Sequence, residues 1–305
     1  MAGSLIVSMV PEASQPASYN DVRVVSLIDQ KEQKLFGLLS EMGQVMVAYS
    51  GGTDSAYLAW AANKVLGAEA VAITADSASI PESHKRDAED FVKRFGIRHQ
   101  YIETHEFENP DYSKNDENRC FHCKDELFVR LEEVGIELGV STIIYGVNKD
   151  DTGDFRPGHR AAQQHAVRAP LLEAELTKSE IRELSRREDL PTWDRPAAAC
   201  LSSRIPYGTE VTRENVKLVE SGEEALAGLG FRVFRVRYHG ELVRIEVGRD
   251  ELQKALNLEM AGTLTELFKR LGFKYVTLDL EGYRLGSLNE VLAPEIRGSL
   301  FPILS

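Results

Sequence analysis

Four short stretches of this chain carry residue types that could do chemistry. In the first, the apolar run QVMVAYS passes into Ser50, Gly51, Gly52, Thr53, Asp54 and Ser55, and a helical pattern follows. Adjacent glycines let a backbone adopt unusual dihedrals and approach a ligand closely. The N–H groups of such a turn, with the start of the next helix, form an anion site that the hydroxyls of Ser50, Thr53 and Ser55 extend. Asp54 is out of place beside a phosphate unless a Mg²⁺ lies between them. The stretch is neither a Walker loop nor a Gly-x-Gly-x-x-Gly turn.

The second stretch, YGVNKDDTGDFRPG, clusters Asp150, Asp151 and Asp154 with Arg156. Such carboxylates suit a hard cation or the surroundings of an electrophile, and the arginine suits developing phosphate charge. A solvated acidic turn would have the same composition. The third set is the three cysteines, Cys120, Cys123 and Cys200. Three thiolates can hold three irons of a [4Fe–4S] cluster and leave the fourth open. His122 or His84 could instead complete a Cys₃His zinc site. Cys200 alone could be a nucleophile, with Arg204 favouring its thiolate. The fourth stretch, FRVFRVRYHG, puts Arg235 and Arg237 on one strand face and Arg232 on the other. Outward arginines there would suit a phosphate or carboxylate, or simply a solvated face.

The elements around these residues alternate. A helix is expected over 31–42. QVMVAYS, AEAVAITAD, RHQYIET and STIIYGVN read as strands, with helices between them. The CxxC pair is expected to precede the helix of CKDELFVRLEEVGIELG. This alternation predicts an α/β fold with a doubly wound parallel sheet. TKSEIRELSRRED opens with a capping box, Thr177 to Glu180. LPTWDRPAAACLSSRIPYGT has no clear period and reads as a functional loop. From Thr212 the pattern changes to α+β. We therefore expect a mobile tail over 1–22, a nucleotide domain over 23–207 and a smaller C-terminal α+β domain over 208–305.

Composition narrows the classes. The 305 residues are 43% hydrophobic and carry a net charge of −12. That is a globular composition, and it opposes a large nucleic-acid footprint. No apolar run approaches the length of a membrane span, and the N-terminus lacks a basic segment before its apolar run. The expectation is a cytoplasmic protein. An odd cysteine count argues against a disulfide framework.

SGGTDS resembles the pyrophosphate loop of the N-type ATP pyrophosphatases (PP-loop enzymes), which leave AMP on a substrate. Together with NRCFHCK, NKDDTGDFRPGHRAA and RPAAACLSSRIPYG, it resembles the LarE family over most of the chain from about residue 30. These are ATP-dependent sulfur transferases that help make the nickel-pincer nucleotide of lactate racemase. The resemblance implies adenylylation of a carboxylate of pyridinium-3,5-biscarboxylic acid mononucleotide, then replacement of AMP by sulfur. It implies that Ser50, Gly51, Gly52, Asp54 and Ser55 hold ATP phosphates and Mg²⁺, that Asp76 ends the strand where the nucleoside lies, and that Arg235 and Arg237 take the substrate phosphate. Cys200 matches the sulfur-donor position. In one branch that cysteine gives up its own sulfur; in another, three cysteines hold a [4Fe–4S] cluster. The presence of Cys120, Cys123 and Cys200 together favours the cluster branch. The family also suggests a homo-oligomer. The sequence leaves open whether Glu223 or Glu224 has a role in a metal site.

A tRNA thiolase of the same superfamily is a competing reading, opposed by the acidic charge and the lack of a recognisable RNA-binding module. An amide-forming ligase would have no need of three cysteines. A nucleotide sensor would bind ATP and release no pyrophosphate.

Overall fold

The computed structural model describes residues 26–153, 157–196 and 199–284. The expected tail, together with Asp154 and Arg156, lies outside these residues.

The first half is a wound sheet. α1 (Leu27–Met42) begins in a capping box in which Ser26 and Asp29 exchange hydrogen bonds. β1 (Val45–Ala48) follows and is buried at every residue, as the continuous apolar run requires. Next come α2 (Thr53–Leu66), β2 (Ala70–Asp76), α3 (Glu82–Arg94), β3 (His99–Glu103), α4 (Pro110–Ser113), α5 (Arg119–Leu138) and β4 (Ile143–Tyr145). α6 (Pro157–Gln164), α7 (Pro170–Glu173) and α8 (Lys178–Arg187) complete this part.

The strand order is β3-β2-β1-β4, and every pair is parallel. β1 therefore sits where the winding reverses. In such sheets the crevice beyond the strand ends at that reversal is where ligands bind, and the SGGTDS loop leaves β1 there. Apolar side chains of α1, α2 and α8 pack one face of the sheet, through Leu35, Leu39, Tyr57, Leu58, Ile181 and Leu184. Phe128 and Leu131 of α5 and Ala161 and Ala162 of α6 pack the other.

The second half contains α9 (Arg213–Gly228), β5 (Phe234–His239), β6 (Leu242–Val247), α10 (Leu252–Ala255), α11 (Leu258–Arg270) and β7 (Tyr275–Leu278). β5 and β6 pair antiparallel, with Val236 opposite Ile245, and β7 joins β6 in parallel. The helical stretch from Arg249 onward is broken at Asn257, whose side chain accepts from the Glu259 N–H and starts α11. The core of this sheet also takes in Tyr112, Leu201 and Ile205, so the loop bearing Cys200 is packed into it. Among the described residues, no helix is long and apolar enough to cross a membrane.

One boundary matters for chemistry. α5 starts at Arg119, so Cys120 lies in its first turn and Cys123 opens its second, rather than both preceding it. Residues three apart on a helix share a face.

Candidate active site

The phosphate loop is held from inside and outside. Gly51 has φ +73°, a left-handed conformation that favours glycine. Ser55 Oγ accepts from the Ser50 N–H at 3.2 Å, lies 3.0 Å from Ser50 Oγ and donates to the Gly52 carbonyl at 3.1 Å. Gly52 begins α2 with no side-chain cap, so the first N–H groups of the helix are not taken by one. Gly146, just after β4, presses on this turn: a Cβ there would stand 2.8 Å from Ser55 N and 3.0 Å from Asp54 C. β4 can come this close to the start of α2 only without a side chain.

The segment leading to Cys200 is stapled to the same loop. Thr53 Oγ1 donates to the Thr192 carbonyl at 2.8 Å, and Arg195 Nη1 to the Gly51 carbonyl at 2.9 Å. Arg195 also pairs with Asp87 of α3 at 2.6 Å. Arg182 binds the carbonyls of Trp193 and Arg195 at 2.9 and 2.7 Å.

Asp54 is mostly buried and meets a lysine that sequence reasoning missed. Lys178 Nζ lies 2.6 Å from Asp54 Oδ2, and Asn148 Nδ2 donates to the same oxygen at 3.4 Å. Asp54 Oδ1 is buried and has no hydrogen-bond partner. Desolvation raises the pKa of Asp54, Lys178 opposes this, and the nearby Asp151 adds to it. Of the acidic stretch, Asp151 Oδ2 accepts from the Asn148 N–H at 3.1 Å, and Asp150 Oδ2 accepts from the Lys178 N–H at 2.9 Å. The structure thus brings Asp54, Asp150, Asp151 and Lys178 together. Asp76 stands apart at the end of β2, exposed and paired with Lys85.

The three thiols are within electrostatic reach of one another: Cys200 and Cys120 both act on Cys123, and Cys200 acts on Cys120. Desolvation pushes the thiols of Cys120 and Cys123 well above the usual range. Two cations stand near them: Arg119, also missed from sequence, acts with Cys120 and Cys200, and Lys124 acts on Cys120 and Cys123. The positive charge of Arg119 lowers the pKa of Cys120, against the larger effect of desolvation. Arg119 is buried, and it reaches Asn115 Oδ1 and the Ser202 carbonyl, the latter at 3.0 Å. Among the described residues, no group of three or more His, Cys, Asp or Glu surrounds a single metal-ion position. In a [4Fe–4S] cluster each cysteine binds a different iron, so three soft thiolate donors from one helix face and one loop still fit that group.

Arg204 has a different setting from the one expected. It is buried and forms a two-pronged pair with Glu223 of α9, at 2.9 and 3.1 Å. It also donates to the carbonyls of Ala199 and Cys200, at 2.7 and 2.9 Å. It clamps the backbone of the cysteine loop onto α9, and Leu201 N–H fixes the loop to the Ser79 carbonyl at 2.8 Å. Glu224 is exposed. His84 faces Arg195, Arg204 and Glu223; desolvation first, then Arg195, lowers its pKa.

The arginine strand also departs from expectation. Arg237 is not outward: it is buried, 2.7 Å from Glu246 and 3.2 Å from the Ser203 carbonyl. Arg235 donates to the Phe234 carbonyl and stacks over Tyr283, 4.8 Å from the ring centre. Desolvation, then Arg204, lowers its pKa. Arg232 precedes β5, so strand alternation does not apply to it; it is exposed and pairs with Asp250 at 2.7 Å.

This loop at the sheet reversal defines the class. The family model for NAD synthase matches residues 28–126, which span β1, the phosphate loop and the first turns of α5. The chain is 32% identical over 264 residues to a pyridinium-3,5-bisthiocarboxylic acid mononucleotide synthase of Lactiplantibacillus plantarum, covering 86% of this chain and 95% of that protein. An uncharacterized protein of Synechocystis is 43% identical over 266 residues, covering 87% and 99%. Another, of Methanocaldococcus jannaschii, is 28% identical over 241 residues, covering 79% and 91%. The fold is that of the ATP-using PP-loop enzymes. Within that class the chain belongs to the LarE family.

Proposed function

We propose that this chain is an ATP-dependent sulfurtransferase acting on pyridinium-3,5-biscarboxylic acid mononucleotide. A substrate carboxylate oxygen attacks the α-phosphorus of ATP, the bond to the bridging oxygen breaks, and pyrophosphate leaves. A sulfur nucleophile then attacks the acyl carbon of the adenylate, AMP leaves, and a thiocarboxylate remains. Activation is needed because a carboxylate is a poor electrophile and AMP is a good leaving group. The observation that carries the reading is the match along nearly the whole length of the plantarum synthase, together with a phosphate loop stapled to the segment that ends in Cys200.

In this reading, Ser50, Gly51, Gly52, Thr53 and Ser55 bind the ATP phosphates through backbone N–H groups and hydroxyls. The partnerless Asp54 Oδ1 suits Mg²⁺, which binds through one or two carboxylates plus substrate phosphates. When bound, the metal ion neutralises phosphate charge. Asp150 and Asp151 set the shape of that corner, and Asp76 lies on the nucleoside side. The C-terminal part, from 208, holds the substrate, with Arg235 nearest its phosphate; Arg237 supports that face through Glu246. Arg204 positions Cys200 by fixing its carbonyl.

Cys120, Cys123 and Cys200 would hold a [4Fe–4S] cluster, whose open iron supplies a place for the transferable sulfide. Arg119 offsets the negative charge gathered by three thiolates.

An anaerobic assay with ATP, the pyridinium nucleotide and sulfide tests both levels, run on the wild type and each Cys→Ser variant. Thiocarboxylate formation with about four irons per chain, lost in every variant, is the expected result. Pyrophosphate release with no thiocarboxylate under any sulfide supply would overturn the sulfurtransferase reading. An iron-free active protein whose chain loses the mass of H₂S in turnover would replace the cluster with sacrifice of Cys200.

A further inference from the structure

The Lys178–Asp54 pair has no place in the phosphate loop as read from sequence. We infer that Lys178 is a built-in counter-ion which holds the Mg²⁺ position on Asp54 while the site is empty. On nucleotide binding it exchanges from Asp54 to the nucleotide's phosphates. The inference rests on the ATP–Mg²⁺ reading above and adds a competition to it.

Three observations carry it. First, the ammonium lies 2.6 Å from Asp54 Oδ2, and the other oxygen, Oδ1, is buried without a partner. The carboxylate is thus half-satisfied, and a dication arriving on it would meet the ammonium's like charge at close range. Second, Lys178 is the first residue of α8, and its backbone is anchored while its side chain is long. The Lys178 N–H donates to Asp150 Oδ2 at 2.9 Å, and the Thr177–Glu180 capping box fixes the turn. A lysine is a flexible, strongly hydrated point charge, so the ammonium can change partners without moving the helix. Third, Asp151 adds negative charge near Asp54. Without either cation the negative charge of Asp151 would act on Asp54 uncompensated. Lys178 removes that repulsion in the empty site, and Mg²⁺ removes it in the filled one.

The exchange makes effects of opposite sign. In Lys178→Met, Asp54 is free of its competitor, so Mg²⁺ alone binds the nucleotide-free protein about tenfold more tightly. A non-hydrolysable α,β-methylene ATP analogue with Mg²⁺ binds about tenfold more weakly, because the phosphate contact is gone. In Asp54→Asn, Lys178 is free from the start, so the analogue without Mg²⁺ binds more tightly than to the wild type.

Titration calorimetry reads all three, with thermal unfolding to check the fold. If Lys178→Met is unfolded, Asp54→Asn decides the matter. Affinities for Mg²⁺ and the analogue that fall together or stay unchanged in Lys178→Met would overturn the exchange. So would weaker Mg²⁺-free analogue binding in Asp54→Asn. A wild type that binds no analogue at all would overturn the ATP reading as well.

Discussion

The phosphate loop and the cysteine site are built in opposite ways. The loop is six consecutive residues whose chemistry lies mostly in the backbone: a left-handed Gly51, a helix start at Gly52 and hydroxyls that hydrogen-bond among themselves. The cysteine site is assembled from one helix turn and a loop far along the chain, and it depends on side chains that clamp other backbones. Arg119 ties α5 to Ser202, Arg195 ties the Cys200 segment to Gly51, and Arg204 ties it to α9. A contiguous backbone site tolerates change around it and fails when its turn is filled. A dispersed site fails when any of its clamps is cut.

The sharpest break of this comparison is Cys200→Ser. If the two sites are separable, the variant loses thiocarboxylate formation entirely yet still releases pyrophosphate in the presence of substrate. Loss of both products together would mean that the loop depends on the cysteine side. Next is Gly146→Ala, which places a methyl group against backbone atoms of Asp54 and Ser55. Overpacking of this kind costs about 1–3 kcal/mol. We expect a lower unfolding midpoint in urea and a marked loss of ATP affinity, with cysteine alkylation unchanged.

Arg119→Met probes the other region. It leaves Asn115 Oδ1 and the Ser202 carbonyl without their buried donor, worth about 1–3 kcal/mol. It also removes the larger of two cationic influences that pull the Cys120 pKa down, the other being Lys124. Alkylation of Cys120 at a fixed pH near 8 should therefore slow, while ATP binding stays near the wild-type value.

The smallest effect concerns the brace on α5. Each ring nitrogen of His165 is hydrogen-bonded to a carboxylate, Glu132 at 2.8 Å and Asp125 at 3.0 Å. Desolvation opposes protonation, and the two carboxylates outweigh it, so the pKa is raised. A raised histidine stabilises fully below its unfolded pKa of about 6.5 and loses that contribution as pH climbs through the folded value. His165→Gln should therefore be less stable than the wild type at pH 6 and nearly equal at pH 9. Solvent screening keeps the difference under about 1 kcal/mol. An equal deficit at both pH values would show that the charge is not what braces the helix.

Much of the first sheet was readable because its signals are local. Burial on both faces makes β1 continuously apolar, and turn and cap residues mark the helix ends at Thr177 and Gly139. The errors fell where tertiary contacts overrode local pattern. α5 begins at Arg119, earlier than the apolar period suggests, because Arg119 is anchored by Asn115 and Ser202. Arg237 is inside because Glu246 on the neighbouring strand neutralises it there. Arg204 serves Glu223 and two carbonyls, contacts that spacing along the chain does not reveal.

By itself, the sequence determined the parallel sheet, the phosphate loop at the end of β1 and the family. These follow from periodicity and from residues adjacent in the chain. Only the tertiary structure decided which charges meet: Lys178 with Asp54, Arg195 with Gly51, Arg119 with the thiols. The physical reason is range. Backbone conformation is set by neighbours in sequence, whereas an ion pair forms between groups that folding brings within a few ångströms, however far apart they stand along the chain.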